Sequence, residues 1–202
     1  GTSGNILDNQ ELVRTVNVTG LPNSINQTTF GLEQVCFTIS HTWDEDLTAT
    51  LEAPDGTQIV LFSAIGGSDN DFDGTCLRSD APTSIVVQSA PFTGIFKPMN
   101  SLGAANNSQN PNGVWKLRIY DSASGDQGTL DSWSITFGND PAVEQVFTSS
   151  NLPIVILNTN NQAIPDEPKI EVHMKIIDNG PGNTNHISDF PNAYNNKIGI
   201  ER

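Results

Sequence analysis

Positive charge is what this sequence has least of: 9 Lys and Arg stand against 23 Asp and Glu, for a formal net charge of −14. Binding along a nucleic-acid backbone needs clustered Lys and Arg to release counterions, so that function class is excluded and a metal cation becomes the more natural small partner. Long apolar runs are missing too. No stretch of 18 apolar residues occurs, so no membrane insertion by a helix is expected. The opening GTSGNILDNQ has neither a basic stretch nor an apolar run, so any export signal would have been removed or would lie outside this sequence. Segments rich in Ala, Glu, Lys and Leu with a 3.6-residue period are also absent, which argues against a helical architecture.

Cysteine is scarce, with only Cys36 and Cys76. An even pair in an acidic, Asn-rich chain suits an extracellular or cell-surface setting and a disulfide; the alternative is two buried thiols acting as small apolar fillers. What is abundant is Gly, Pro, Asn, Ser and Thr, interleaved with short apolar segments. LVRTVNV (12–18) alternates and is broken by TGLPNS, and LEQVCFTISHTW (32–43) places Val35, Phe37 and Ile39 on one side. LTATLEA (47–53) and TQIVLFS (57–63) flank PDG, a turn set by the fixed φ of Pro and a Gly free to take positive φ, so they form a hairpin. Further strands are expected at SIVVQS (84–89), GVWKLRIYD (113–121) and GTLDSWSITFG (128–138). Some eight short strands without a helix read as an all-β fold, a jelly-roll β-sandwich over residues 1–139. NDPAVEQVFTSSNLP reads as a linker around 140–153, and residues 154–202 as a short partial domain or extended tail with too little apolar mass to fold alone.

Acidic side chains are crowded at one place. The hairpin carries the chain away from Asp44 and Asp46 and back again, so these two are expected at the same sheet end as Asp69, Asn70, Asp71 and Asp73. Five carboxylates and an Asn carbonyl would repel one another unless a hard divalent cation, which takes six to eight oxygens, sits among them. Calcium is the expected cofactor, with Gly66 and Gly67 letting backbone carbonyls, that of Gly67 included, turn inward. The alternative is a solvated acidic loop. The spacing is not that of an EF-hand, and His41 is the only His in this half of the chain, against a transition-metal site.

No nucleophile motif, phosphate cradle or dinucleotide fingerprint is present, so no catalytic residue is assigned. Trp115 and Trp133 are expected in the core, whereas Trp43 is a candidate for stacking on a sugar or another ligand. NVT, NQT and NNS match the N-glycosylation sequon, which in a bacterial product would ordinarily carry nothing.

Several runs in order, HTWDEDL, APDGT, the Gly-Gly acidic loop, NGVWKL and GTLDSW, resemble the P domain (P/Homo B) found after the catalytic domain of subtilisin-like proprotein convertases and in bacterial secreted proteins. The resemblance covers about 11–138. It implies a jelly-roll sandwich, often calcium-stabilised in bacterial members, that is not itself catalytic and that stabilises or targets an adjoining domain. Arg78 and Ser79 stand where bacterial relatives often carry an acidic pair. LPIVILNTNNQAIPDEPKIEVHMKIID and YNNKIGIER are similar to the opening strands of spore-coat CotH-type kinase domains, over about 151–202. Together these imply an accessory module of a secreted or cell-surface bacterial protein. Its expected partners are calcium, a neighbouring domain of the same polypeptide, and a surface protein or glycan. The alternatives are a carbohydrate-binding module and the regulatory part of a secreted CotH-like kinase.

Overall fold

A computed structural model describes residues 1–144, 147–160, 162 and 164–201. Gln145 and Val146 of the expected linker, and Asn161, Ala163 and Arg202 of the expected tail, lie outside the described residues. The chain divides into two compact units, Gly1–Gln145 and Val146–Arg202.

The described residues of the first unit form nine strands: β1 (Gly4–Ile6), β2 (Glu11–Val18), β3 (Gly31–Ser40), β4 (Leu47–Glu52), β5 (Gln58–Ser63), β6 (Phe72–Leu77), β7 (Gly94–Phe96), β8 (Gly113–Asp121) and β9 (Gly128–Gly138). They form a four-stranded sheet in the order β2-β8-β4-β5 and a five-stranded sheet in the order β1-β9-β3-β6-β7, with all neighbours antiparallel except β6 and β7. The chain crosses between the sheets at every connection except β4–β5 and β6–β7, so the unit is a jelly-roll sandwich. Period-2 alternation decides which side chains face inward. Leu47, Ala49 and Leu51 of β4 and Trp115, Leu117 and Ile119 of β8 meet Val35, Phe37 and Ile39 of β3 in one core. Phe62 stacks on Phe72 at 4.4 Å between ring centroids, and Phe72 on Phe92 at 4.7 Å, at the end of the sandwich that carries the acidic loop. Trp115 and Trp133 are both buried, and the Trp115 indole N–H donates to the Pro111 carbonyl at 2.9 Å.

Three details depart from the sequence reading. Phe72–Leu77 is a strand rather than part of a loop, and β1 and β7 add short edges. SIVVQS is not a strand: Ile85–Val87 form a single 3-10 turn, capped by Ser84, whose hydroxyl accepts the Val86 N–H at 3.3 Å. Cys36 and Cys76, by contrast, form the disulfide that the sequence reading expected: they face each other across β3 and β6 with Cα atoms 4.0 Å apart, the close spacing of a pair not bridged by ladder hydrogen bonds.

The other end of the sandwich is latched by one buried amide. Asn106 accepts the Leu32 N–H at 2.7 Å and donates both hydrogens of its own NH2, to the carbonyls of Leu32 (3.0 Å) and Ala142 (2.8 Å). On the outer face of the four-stranded sheet, Glu52 accepts from Lys116 (2.6 Å) and Arg118 (2.7 Å), and Arg118 also reaches Glu11 (2.6 Å).

The second unit holds β10 (Ser149–Ser150), β11 (Ile154–Asn158), β12 (Ile170–Ile177), β13 (Asn185–His186) and β14 (Tyr194–Ile200). β12 lies between β11 and β14 in an antiparallel three-stranded sheet, and β10 pairs with β13. Val172 and Ile177 of the central strand are buried, whereas Val155 and Leu157 of β11 are exposed. No helix among the described residues is long and apolar enough to cross a membrane.

Candidate functional site

β3 ends at Ser40, and the chain makes one 3-10 turn at Asp44–Asp46 before entering β4. The first amides of such a turn have no partner within it. Here the acidic loop supplies them: Asp44 N–H donates to the Asp69 carbonyl at 3.1 Å and Glu45 N–H to the Gly67 carbonyl at 3.2 Å. The loop is held in turn by Asp71, whose N–H donates to Asp44 Oδ1 at 3.2 Å and whose Oδ1 accepts the His41 N–H at 2.9 Å. Phe92 N–H closes the far side by donating to the Asp71 carbonyl at 3.0 Å. Gly66 has a φ of +91°, and a Cβ there would stand 2.9 Å from the Asp44 Cβ and 3.0 Å from the Phe92 ring, so only glycine lets the loop close over Asp44.

Asp44 is therefore sealed, at 0% exposure, and its second oxygen, Oδ2, has no hydrogen-bond partner among the described residues. Burial pushes this carboxyl up to about 7. The Asp71 N–H and His41 pull it down, and the charges of Asp71 and Asp69 raise it further. A carboxylate so placed takes up either a proton or a cation.

The expected ligands do not all share one place. Asp44, Asp71 and the carbonyls of Asp69 and Gly67 come together through the bonds above. Asp69 and Asn70 have exposed side chains, and Asp73 points outward from β6. Asp46 belongs to a neighbouring group: partial burial raises its pKa first, and then the charges of Asp121 and Asp126. Among the described residues, no group of three or more His, Cys, Asp and Glu side chains is gathered closely enough to hold a metal ion by side chains alone. An ion at Asp44 would draw on carbonyl, Asn and water oxygens as well, which calcium accepts.

The sequence reading missed Asp121. It is fully buried, its Oδ1 accepts the Ala123 N–H at 3.1 Å, and its Oδ2 stands 3.4 Å from His41 Nε2. The signal was present: Asp121 ends β8 in the same inward phase as Trp115, Leu117 and Ile119. His41 is likewise buried, with Nδ1 2.9 Å from the Trp43 carbonyl, while Trp43 itself is 42% exposed.

The family model for the proprotein convertase P-domain matches residues 33–137, more than half of the chain, and takes in strands of both sheets, though not β1 and β2, with the acidic loop and the turn at Asp44. The chain belongs to this family. Similarity extends to leupeptin-inactivating enzyme 1 of Streptomyces exfoliatus, 31% identical over 122 residues, which are 60% of this chain and 21% of that protein. Transglutaminase-activating metalloprotease of Streptomyces mobaraensis is 33% identical over 99 residues, 49% of this chain and 10% of that protein. The chain thus spans about a fifth and a tenth of the lengths of these two relatives. A solved structure of an Aeromonas sobria serine protease in complex with its chaperone matches at 19% identity and a TM-score of 0.32, over 69% of this chain and 28% of that one. The P-domain match ends at Phe137 and does not reach the second unit.

Proposed function

We propose that the P-domain unit is a calcium-stabilised accessory sandwich of a secreted or cell-surface protein, with no chemistry of its own, which steadies or orients an adjoining domain of the same polypeptide. The names of the two Streptomyces relatives, an enzyme and a metalloprotease, support an enzyme as the neighbour, and the second name supports a protease. The observation that carries the calcium reading is Asp44: a buried carboxyl with one oxygen unpartnered, roofed by a loop whose own acidic side chains and carbonyls lie beside it. Asp44, Asp71, Asp69 and the Gly67 carbonyl are the residues that would hold the ion, with Asn70, Asp46 and Asp73 as outer contributors. Bound there, the ion neutralises the buried charge and ties the loop to the turn at Asp44–Asp46.

Calorimetry of the protein in EDTA and in 1 mM calcium tests this reading. An ion present at about a hundred times its dissociation constant adds about 2.7 kcal/mol through linkage. Equal melting temperatures in the two buffers, with no calcium found by elemental analysis, would refute it. The neighbour's role is tested on the parent polypeptide, whose catalytic domain is expected to melt lower once residues 1–145 are removed.

Trp43 is the observation behind a second reading, stacking against a sugar ring. A glycan array that responds equally to the protein and to Trp43→Ala dismisses it.

A further inference from the structure

On one side of the sandwich the edge of β9 in one sheet runs beside the edge of β2 in the other. β3 covers one edge of β9 along nearly its whole length, from Thr129 to Gly138. The opposite edge is paired only with β1, and only at Gly128–Leu130. The N-terminal residues continue that line: Gly4 faces Leu130, and three residues earlier the nitrogen of Gly1 donates to the Trp133 carbonyl. In an antiparallel pair the peptide groups of every second residue point to the same edge. The N–H and C=O groups of Ile135 and Phe137 therefore face this edge, and among the described residues nothing pairs with them.

A groove of about 420 Å³ runs along the same edge, lined by Val16, Val18, Leu21, Ile135 and Phe137, with Gly1 at its end. Those five side chains are only partly buried. The extra residue that shifts the β3–β9 register in this region lies on β3, between Leu32 and Gln34, so β9 keeps its regular alternation and turns Ile135 and Phe137 to the groove. An unpaired strand edge beside an apolar groove is a template for adding a strand, with ladder bonds giving affinity and alternate side chains giving selectivity.

We propose that the β9 edge from Trp133 to Gly138 is a strand-acceptor site, and that its occupant is polypeptide joined to the nitrogen of Gly1, extended and antiparallel to β9. Continuity of the ladder decides the source. A strand from another molecule running in the same direction would drive its carboxyl end into Gly1, whereas polypeptide joined to that nitrogen carries the existing register forward. Each step before Gly1 is one step beyond Trp133, so the residues two and four positions before Gly1 stand opposite Ile135 and Phe137, and their side chains enter the groove. Apolar residues fit there, with small polar residues between them facing solvent. Docked in this way, the connection to whatever precedes the sandwich is a strand of its sheet, and the orientation of that neighbour is set by the ladder. This inference is independent of the calcium reading.

The test is an extension of five residues on Gly1, Thr-Val-Thr-Val-Thr, which puts Val opposite Ile135 and Phe137. Native-state hydrogen exchange is expected to slow at the Ile135 and Phe137 amides by at least about tenfold, with a rise in Tm of about 3 °C or more. The same extension with Pro two positions before Gly1, which removes a ladder donor, is expected to lose both effects. Unchanged exchange at Ile135 and Phe137 in the first variant, or equal slowing with a Gly-Ser-Gly-Ser-Gly extension, would overturn the proposal. Slowing that depends on protein concentration and accompanies a dimer in ultracentrifugation would overturn the assignment of the occupant.

Discussion

The backbone N–H of Asp71 donates to Asp44 Oδ1, while Oδ2 of the same buried carboxyl accepts from nothing among the described residues. Half of that group is solvated by the protein and half is left bare. Asp44→Asn separates the two ways of relieving it. At pH 8 in EDTA the neutral amide is expected to raise stability by roughly 1–3 kcal/mol, because a buried charge without a partner is removed. Calcium should then add nothing to the variant. Paired denaturant melts with and without the ion read both effects.

The pH dependence follows from two carboxyls shifted in opposite directions. Asp44 ordinarily titrates near 3.8 and in the fold near 7, so between these values the folded state binds the extra proton. Its contribution is fully present below the lower value and is lost as pH rises through the upper one. Glu52 is held low by hydrogen bonds from Lys116 and then from Arg118, so its contribution is present above its ordinary 4.5 and is lost as pH falls further. In EDTA, stability is expected to peak at about pH 4, between these two ordinary values, and to decline toward neutrality. With calcium bound the decline above that point should vanish, since the ion replaces the proton. A urea-midpoint series from pH 3 to 8 in both buffers checks the crossing.

The two adjacent glycines of the loop are not equivalent. Gly66→Ala puts a methyl 2.9 Å from the Asp44 Cβ and 3.0 Å from Phe92 at a φ of +91°, whereas at Gly67, φ +59°, a Cβ meets nothing within 4 Å. Gly67→Ala is expected to cost about 1 kcal/mol for its backbone conformation alone. Gly66→Ala should cost more than twice that and should also abolish the calcium-induced rise in melting temperature. Calorimetry of the two variants, with and without calcium, ranks them.

Reducing the disulfide should destabilise the first unit without unfolding it outright. The Cys36–Cys76 bond spans 40 residues of sequence, and in the chain-entropy model closing such a loop is worth on the order of 4 kcal/mol. The double variant Cys36→Ala, Cys76→Ala is expected to show a loss of that order in guanidinium melts. The calcium response should persist, because the bond lies on the outer face of the five-stranded sheet, away from Asp44.

Strands that alternate over most of their length were legible in the sequence: β2, β3, the β4–β5 hairpin, β8 and β9, although a single extra residue at Glu33, Leu61 and Asp131 interrupts β3, β5 and β9. β6 was not, because the bulge opposite Phe37 and Ile39 breaks its period, so its inward residues fall at Phe72, Thr75 and Leu77, with Asp73 and Gly74 between them looking like loop. SIVVQS misled in the other direction. β-propensity reports fit to a pleated, half-buried surface, and Val86 and Val87 meet solvent at 43% and 76% exposure. At the candidate site, chain reversal was enough to bring Asp44 and the Asp69–Asp71 loop to the same end. It could not tell which carboxyl is buried, because that depends on Gly66 admitting the loop and on the Phe72–Phe92 stack beside it. The CotH-type resemblance of 151–202 rested on short runs, and the family match stops before them.

The amide latch at Asn106 decides how one of the three sequons behaves. Asn106 heads the NNS triplet, and both hydrogens of its side-chain nitrogen are spent on the carbonyls of Leu32 and Ala142 in a position 3% exposed. Attaching a sugar would replace one of those hydrogens and force a bulky group between β3 and the segment after β9. A transferase meeting the finished fold has no acceptor there, and a chain decorated earlier would have to mature without its clasp.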